Sequence, residues 1–275
     1  MIMMSLSKKI DFVIIIGVTN ANPNGDPLNG NRPRTNYDGH GEMSDVCIKR
    51  KIRNRLMDNG EAILVQSDDY RKDEFRSIKD RYDNAIKERP KKEDAEIRAN
   101  FACETWFDVR AFGQVLAGVD DANASIAIRG PVSIQSAFSV EPVDISSMQI
   151  TKSVNLTTNK NDPSKKASDT IGMKHRVERG IYTTFGSINR QLAEKTGFSD
   201  KDAELLKKSI LQMFENDESS ARPAGSMEVL KVIWWTHDEQ TLSSAKVHRS
   251  LKVNTDGTYT LEKLNGIRVQ ELDAE

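Results

Sequence analysis

Residues 10–57 carry three stretches of sharply different character in immediate succession, and any fold must reconcile them. The first, Ile10 to Val18 (IDFVIIIGV), is nearly continuously apolar and β-branched. Such a run suits a central strand covered on both faces, and it is too short for a membrane helix. The second, Asn20 to Gly41, is dense in Asn, Gly, Pro and Asp, the residues of turns and left-handed backbone. The third, Ser44 to Met57, reads as one helix. Ile48, Ile52 and Leu56 recur every four residues, Ser44 is a suitable N-cap, Asp45 suits the positive end of the dipole, and Asn59-Gly60 is a stop signal. The order is buried strand, long polar loop, basic helix.

Lys49, Arg50, Lys51, Arg53 and Arg55 place five cations within seven positions of that helix, with no acid among them. Two explanations are open: a polyanion lies across the helix, or acids elsewhere in the fold pair with it. The loop supports the polyanion. Asn22 and Asn24 offer amide donors, Gly25 exposes backbone N–H, and Arg34 adds charge, so the loop can wrap a sugar-phosphate chain without reading sequence. It lacks GxxxxGK[ST], so it is not a nucleotide-triphosphate loop. A formal net charge of -1 means that any such surface arises from local clustering. Cys47 and Cys103 match no metal or redox spacing, no apolar run approaches membrane length and no signal-peptide pattern is present. The expectation is a cytoplasmic protein with no cofactor and no metal.

Downstream, residues 68–98 alternate acids and bases around Tyr70, Phe75, Ile78, Tyr82 and Ile86, which predicts a solvent-facing helix or helical pair broken at Pro90. Phe101 to Val140 reads as strand chemistry, with Asp108 and Arg110 pairing with each other or with the loop. Two strands meet at Gly130-Pro131, where Arg129 can reach a phosphate. Residues 141–172 hold scattered β-formers, Leu156 among them, and then a polar run, the pattern of an exposed arm. Lys174, His175 and Arg176 follow as a second phosphate contact. A helix is expected within residues 192–214, with Ser199 and Asp202 as a capping box and Ala203, Leu206, Ile210, Met213 and Phe214 buried. Residues 227–235 read as a strand with Trp234 and Trp235 in the core. The tail reads as an edge hairpin turning at Asp256-Gly257 with a frayed end. This order suits an α+β fold with helices on one face of an antiparallel sheet.

NPNGDP at 22–27, NRPR at 31–34, GHG at 39–41 and SDVCIKRKIRN at 44–54 resemble the crRNA-binding backbone subunit of type I-C CRISPR Cascade, of the RAMP superfamily. FDVRAFG at 107–113, RGPV at 129–132, MKHRVERGIY at 173–182 and LAEKTGFSDKD at 192–202 extend the resemblance to about residues 10–235. It implies one domain over residues 1–275, a modified RRM or ferredoxin-like palm. A finger-like charged insertion at about 60–100 and a thumb-like arm at 141–172 would project from it. It also implies a non-catalytic subunit that polymerises along a CRISPR guide RNA and presents it to target DNA in antiviral defence. Its partners would be further copies of itself and the guide-processing, large and small Cascade subunits. Met148 and Met173 are candidates to wedge against a base, although Met173 is equally consistent with a packed core position. No RNP aromatic signature is visible, so base stacking on the sheet is not expected. The alternative is a type III-like backbone ribonuclease cleaving target RNA with Asp26.

Overall fold

The computed structural model describes residues 5–87, 95–118, 125–151, 154, 158–165, 171–238 and 242–274. β1 (Ile10–Ala21) leads into the polar loop, which folds into a small ladder of β2 (Gly25–Asp26) and β3 (Arg32–Pro33), then β4 (His40–Met43) and α1 (Asp45–Asp58). The next segment holds α2 (Ile78–Ala85), α3 (Ala95–Thr105), α4 (Phe107–Phe112), β5 (Gly113–Leu116) and β6 (Ile126–Arg129). Then come β7 (Val132–Ile134), β8 (Ala137–Pro142), β9 (Ile145–Thr151), β10 (Ile171–Ile188), α5 (Arg190–Thr196), α6 (Asp200–Leu211) and β11 (Met227–His237). The chain closes with α7 (Ser244–Arg249), β12 (Leu251–Val253), β13 (Tyr259–Leu261) and β14 (Ile267–Leu272).

The main sheet is antiparallel in the order β14-β11-β1-β10-β8-β4. Within it β1, α1, β8, β10, α6 and β11 form a βαββαβ unit whose strands lie in the order fourth, first, third, second, the ferredoxin-like arrangement. β1 is central because its whole run from Ile10 to Val18 can be buried. Phe12, Ile14, Ile16 and Val18 pack into the core under α1 and α6, where they meet Ile48, Ile52, Leu56, Ala203, Leu206 and Ile210. Phe12 stacks on Trp234 at 5.3 Å, a contact contributing about 0.5–1.5 kcal/mol beyond burial. Gly186 is obligatory here, since a Cβ would lie 2.2 Å from the Phe12 ring.

The opposite face of the sheet is also covered. Val13, Ile233 and Trp235 pack against Val247 and Leu251 of a C-terminal cap built from α7 and the β12–β13 hairpin. Fully buried Asp11 anchors it: His237 Nε2 lies 2.7 Å from its carboxylate, Lys9 Nζ 3.2 Å and His248 Nε2 of α7 3.6 Å. Burial alone would push Asp11 up, but hydrogen bonds to His237 and Ser244 and the nearby Lys9 hold it below the usual carboxylate range. Burial pulls His248 below its ordinary value near 6.5, against the opposing pull of Asp11. The neutral ring is therefore the form the folded state favours. Its contribution is intact above about pH 6.5 and is lost as the pH falls through the lowered value. Amides of residues 242–261 are expected to lose hydrogen-exchange protection at pH 5 relative to pH 7.5 while those of α1 keep theirs; equal protection of the cap at both values would refute it.

Several expectations are corrected. Residues 101–112 form α3 and α4 instead of strands, because short aromatic runs are ambiguous in period and here wrap around Trp106, Phe101 and Tyr82 in a separate apolar cluster. Asp108 and Arg110 do not pair with each other: Asp108 takes Arg53 at 2.9 Å and Arg110 takes Asp202 at 2.9 Å. The helix expected within 192–214 is two, split where Gly197 adopts φ +74°. The capping box of Ser199 and Asp202 is present at the start of the second. Trp234 and Trp235 are buried. The tail carries the hairpin but ends in the edge strand β14, paired with β11, where fraying was expected. Pro90 and Leu156 lie outside the described residues.

Candidate nucleic-acid interface

The basic helix spends most of its charge internally. Lys51 is buried and held by Asp217, so it is corrected as a phosphate contact. Burial pulls its pKa down while Asp217 opposes the shift. Arg53 is corrected likewise: its Nε donates to Asp108 at 2.9 Å and its guanidinium lies over the Phe112 ring. Arg50 donates to the Val65 carbonyl at 2.7 Å, and Arg55 pairs with Glu215 at 2.7 Å. Lys49 is half-buried and pairs with Asp45 at 3.0 Å. The acids absent from the helix sequence are supplied by Asp217, Asp108 and Glu215 from distant segments.

The amides of the loop brace it. Asn22 is buried and donates from Nδ2 to the Asn31 carbonyl at 2.7 Å. Asn24 Oδ1 accepts from both the N–H and the Oγ of Ser44 at 2.9 Å, tying the loop to the N-cap of α1. At Gly25 a Cβ would lie 2.0 Å from Asn31 Oδ1. Asn22 is therefore corrected from an RNA-wrapping donor to part of the scaffold, while Asn24 braces the loop through its acceptor oxygen. Asp26 Oδ1 accepts from the Leu28 N–H at 3.2 Å, capping a 3-10 turn, and lies 3.5 Å from Arg34.

What the scaffold presents is a root and an arm. β9 pairs with the first half of β10 over Ile171↔Thr151 to Val177↔Ile145, a two-stranded ribbon running off the sheet. Met148 sits opposite Lys174, and Met173 opposite Gln149. Adjacent positions of a strand point to opposite sides, so the two methionines lie on opposite faces. Met148, Ile150, Ile171 and Met173 are all exposed, with Met173 at 55%, which removes the packed-core alternative. At the root, Arg32 Nη1 donates to Ser147 Oγ at 2.9 Å, and His175 Nδ1 lies 2.8 Å from the same hydroxyl. Arg176 Nε donates to Ser146 Oγ at 3.3 Å. Arg32, Lys174 and Arg176 make no ion pair among the described residues, unlike Lys49, Lys51, Arg53 and Arg55 of α1.

A second gathering lies at the far end of β10. Lys49 and Arg129 line one open cleft of about 590 Å³ with Phe112, Ser133, Ser187 and Asn189. The turn that carries Arg129 is set by a close backbone approach, since a Cβ on Gly113 would lie 2.3 Å from the Ile128 carbonyl and one on Gly130 2.4 Å from the Ala111 carbonyl. Two residues went unread in the sequence. Arg32 stands in the NRPR motif beside Arg34 but reaches the arm only through the fold. Tyr37 is the one Tyr, Phe or Trp between Asn20 and Gly41, and it carries no local signal of its own. Among the described residues no group of three His, Cys, Asp or Glu side chains could hold a metal ion, and no helix is long and apolar enough to cross a membrane.

A family profile described as CRISPR-associated protein Cas7 matches residues 8–271. A protein of that same description from Haloferax volcanii is 24% identical over 281 residues, covering 97% of this chain and 81% of its own length. The fold is similar to a chain of a solved CRISPR RNA-guided surveillance complex, pre-nicking, with a TM-score of 0.54 at 16% identity, over 87% of this chain and 81% of that one.

Proposed function

The chain belongs to the CRISPR-associated Cas7 family, and on that premise we propose that it is a non-catalytic, sequence-independent guide-RNA-binding backbone subunit of a type I-C Cascade, repeated along the guide in the cytoplasm. The observation that carries this reading is the root of the arm. Arg32, Lys174 and Arg176 stand there without acid partners among the described residues, beside a ribbon that exposes apolar side chains on both faces. Cations held by neutral hydroxyls suit phosphate contact, and exposed apolar side chains suit insertion between bases, as a thumb would. Lys49 and Arg129 offer a further phosphate position in the cleft at the other end of β10.

Base edges remain free in such an arrangement, so pairing with target DNA reads sequence while the protein reads charge and shape. Further copies, a guide-processing subunit and the large and small subunits would complete the assembly. The non-catalytic reading is supported by Asp26, whose carboxylate is engaged by the turn it caps and by Arg34. Purification of the chain with its presumed partners is the test. The expected result is a high-molecular-weight particle carrying RNA of uniform length. A monomer free of nucleic acid that stays monomeric when guide RNA is added would refute the proposal.

A further inference from the structure

Tyr37 is fully exposed, at 103%. The backbone beneath it is unusually well held for a turn. Thr35 bridges Gly41, the Asn36 N–H donates to the His40 carbonyl at 2.9 Å, and Asn36 Oδ1 accepts from the N–H groups of Asp38 and His40 at 3.0 and 2.9 Å. Gly39, at φ +82°, closes the turn, and its carbonyl accepts from the Val143 N–H at 3.1 Å. His40 Nδ1 lies 2.7 Å from the Ser139 carbonyl. The turn is thus fastened to β8 and to the residues that open the arm.

The same loop meets the start of the arm twice: Arg32 on Ser147, and the Tyr37 turn on Val143. An apolar ribbon inserted into a single strand separates neighbouring bases, and a base so separated loses one stacking partner. An aromatic ring replaces that partner without regard to base identity, contributing about 1–3 kcal/mol. We infer that Tyr37 is a base-stacking platform at the root of the arm, receiving an unpaired nucleobase of the strand that Arg32, Lys174 and Arg176 hold by its phosphates.

This rests on the guide-RNA reading, and the test separates the two. Affinity for an unstructured RNA carrying 2-aminopurine is measured for the full chain and for Tyr37→Ala, Tyr37→Leu and Tyr37→Phe, with thermal melting to show equal folding. Alanine and leucine are expected to lose about fivefold to a hundredfold in affinity. Phenylalanine is expected to keep it, and the salt dependence should stay that of wild type, since no charge is removed. Wild-type affinity in all three variants, or in leucine alone, overturns the stacking assignment and leaves guide binding standing. A wild-type chain that binds no RNA overturns both.

Discussion

Asp108→Ala is expected to lower the free energy of unfolding by about 3–5 kcal/mol, read as a large drop in the urea midpoint. Asp108 is 1% exposed and accepts from the Leu64 N–H at 2.8 Å, the Val65 N–H at 3.1 Å and Arg53 Nε at 2.9 Å. Truncation leaves two backbone donors and a buried guanidinium without an acceptor, and each carries its own desolvation cost. Alanine at 108 combined with Arg53→Met should recover part of the loss, because the stranded charge goes with the arginine. A midpoint unchanged by Asp108→Ala would mean that water reaches Arg53 and that the helix cations are not internally committed.

Replacing Arg32, Lys174 and Arg176 together by alanine should weaken RNA binding by about a hundredfold near 0.1 M salt, at roughly 1 kcal/mol for each lost contact. The salt dependence tests this more sharply than the affinity. A single strand contributes a slope of about 0.7 per neutralised phosphate, so the log–log plot should flatten by about two units for every sequence tried. Substitution of Lys51 is no equivalent control, because it breaks a buried ion pair with Asp217 and so acts on the fold. An unchanged slope would sink the assignment of the arm root. The loss should also be independent of base composition, as expected of side chains that contact phosphate and not base edges.

Much of this fold is legible in local pattern. The β-branched run of β1 announces burial on both faces, the four-residue spacing of Ile48, Ile52 and Leu56 announces the inner face of α1, and Ser199 with Asp202 announces the start of α6. The site is less legible, for a physical reason. Whether a lysine is free or paired depends on acids brought up by tertiary structure, and Lys51 meets Asp217 across 166 positions of chain. Five cations on one helix therefore look like a nucleic-acid surface and are mainly an internal network. Arg32 looks like a loop residue and becomes the cation at the root of the arm. The aromatic run at 101–112 was misleading for a different reason: its side chains fit a strand, but Asp108 needs the helical turn that points it at Leu64 and Val65.

The central position of β1 bears on how the chain is made. Ile10 pairs with Ile188 on one side and with Thr236 on the other. The most apolar stretch of the protein thus leaves the ribosome before either of its partner strands has been made. At about 5–20 residues per second, roughly 10–30 s separate its synthesis from that of its first partner. Throughout that interval a β-branched, unpaired strand is open to pairing with any other chain, the condition under which nascent proteins aggregate. Protection of residues 10–21 during translation therefore bears on the yield of folded chain, beside the stability of the finished sheet.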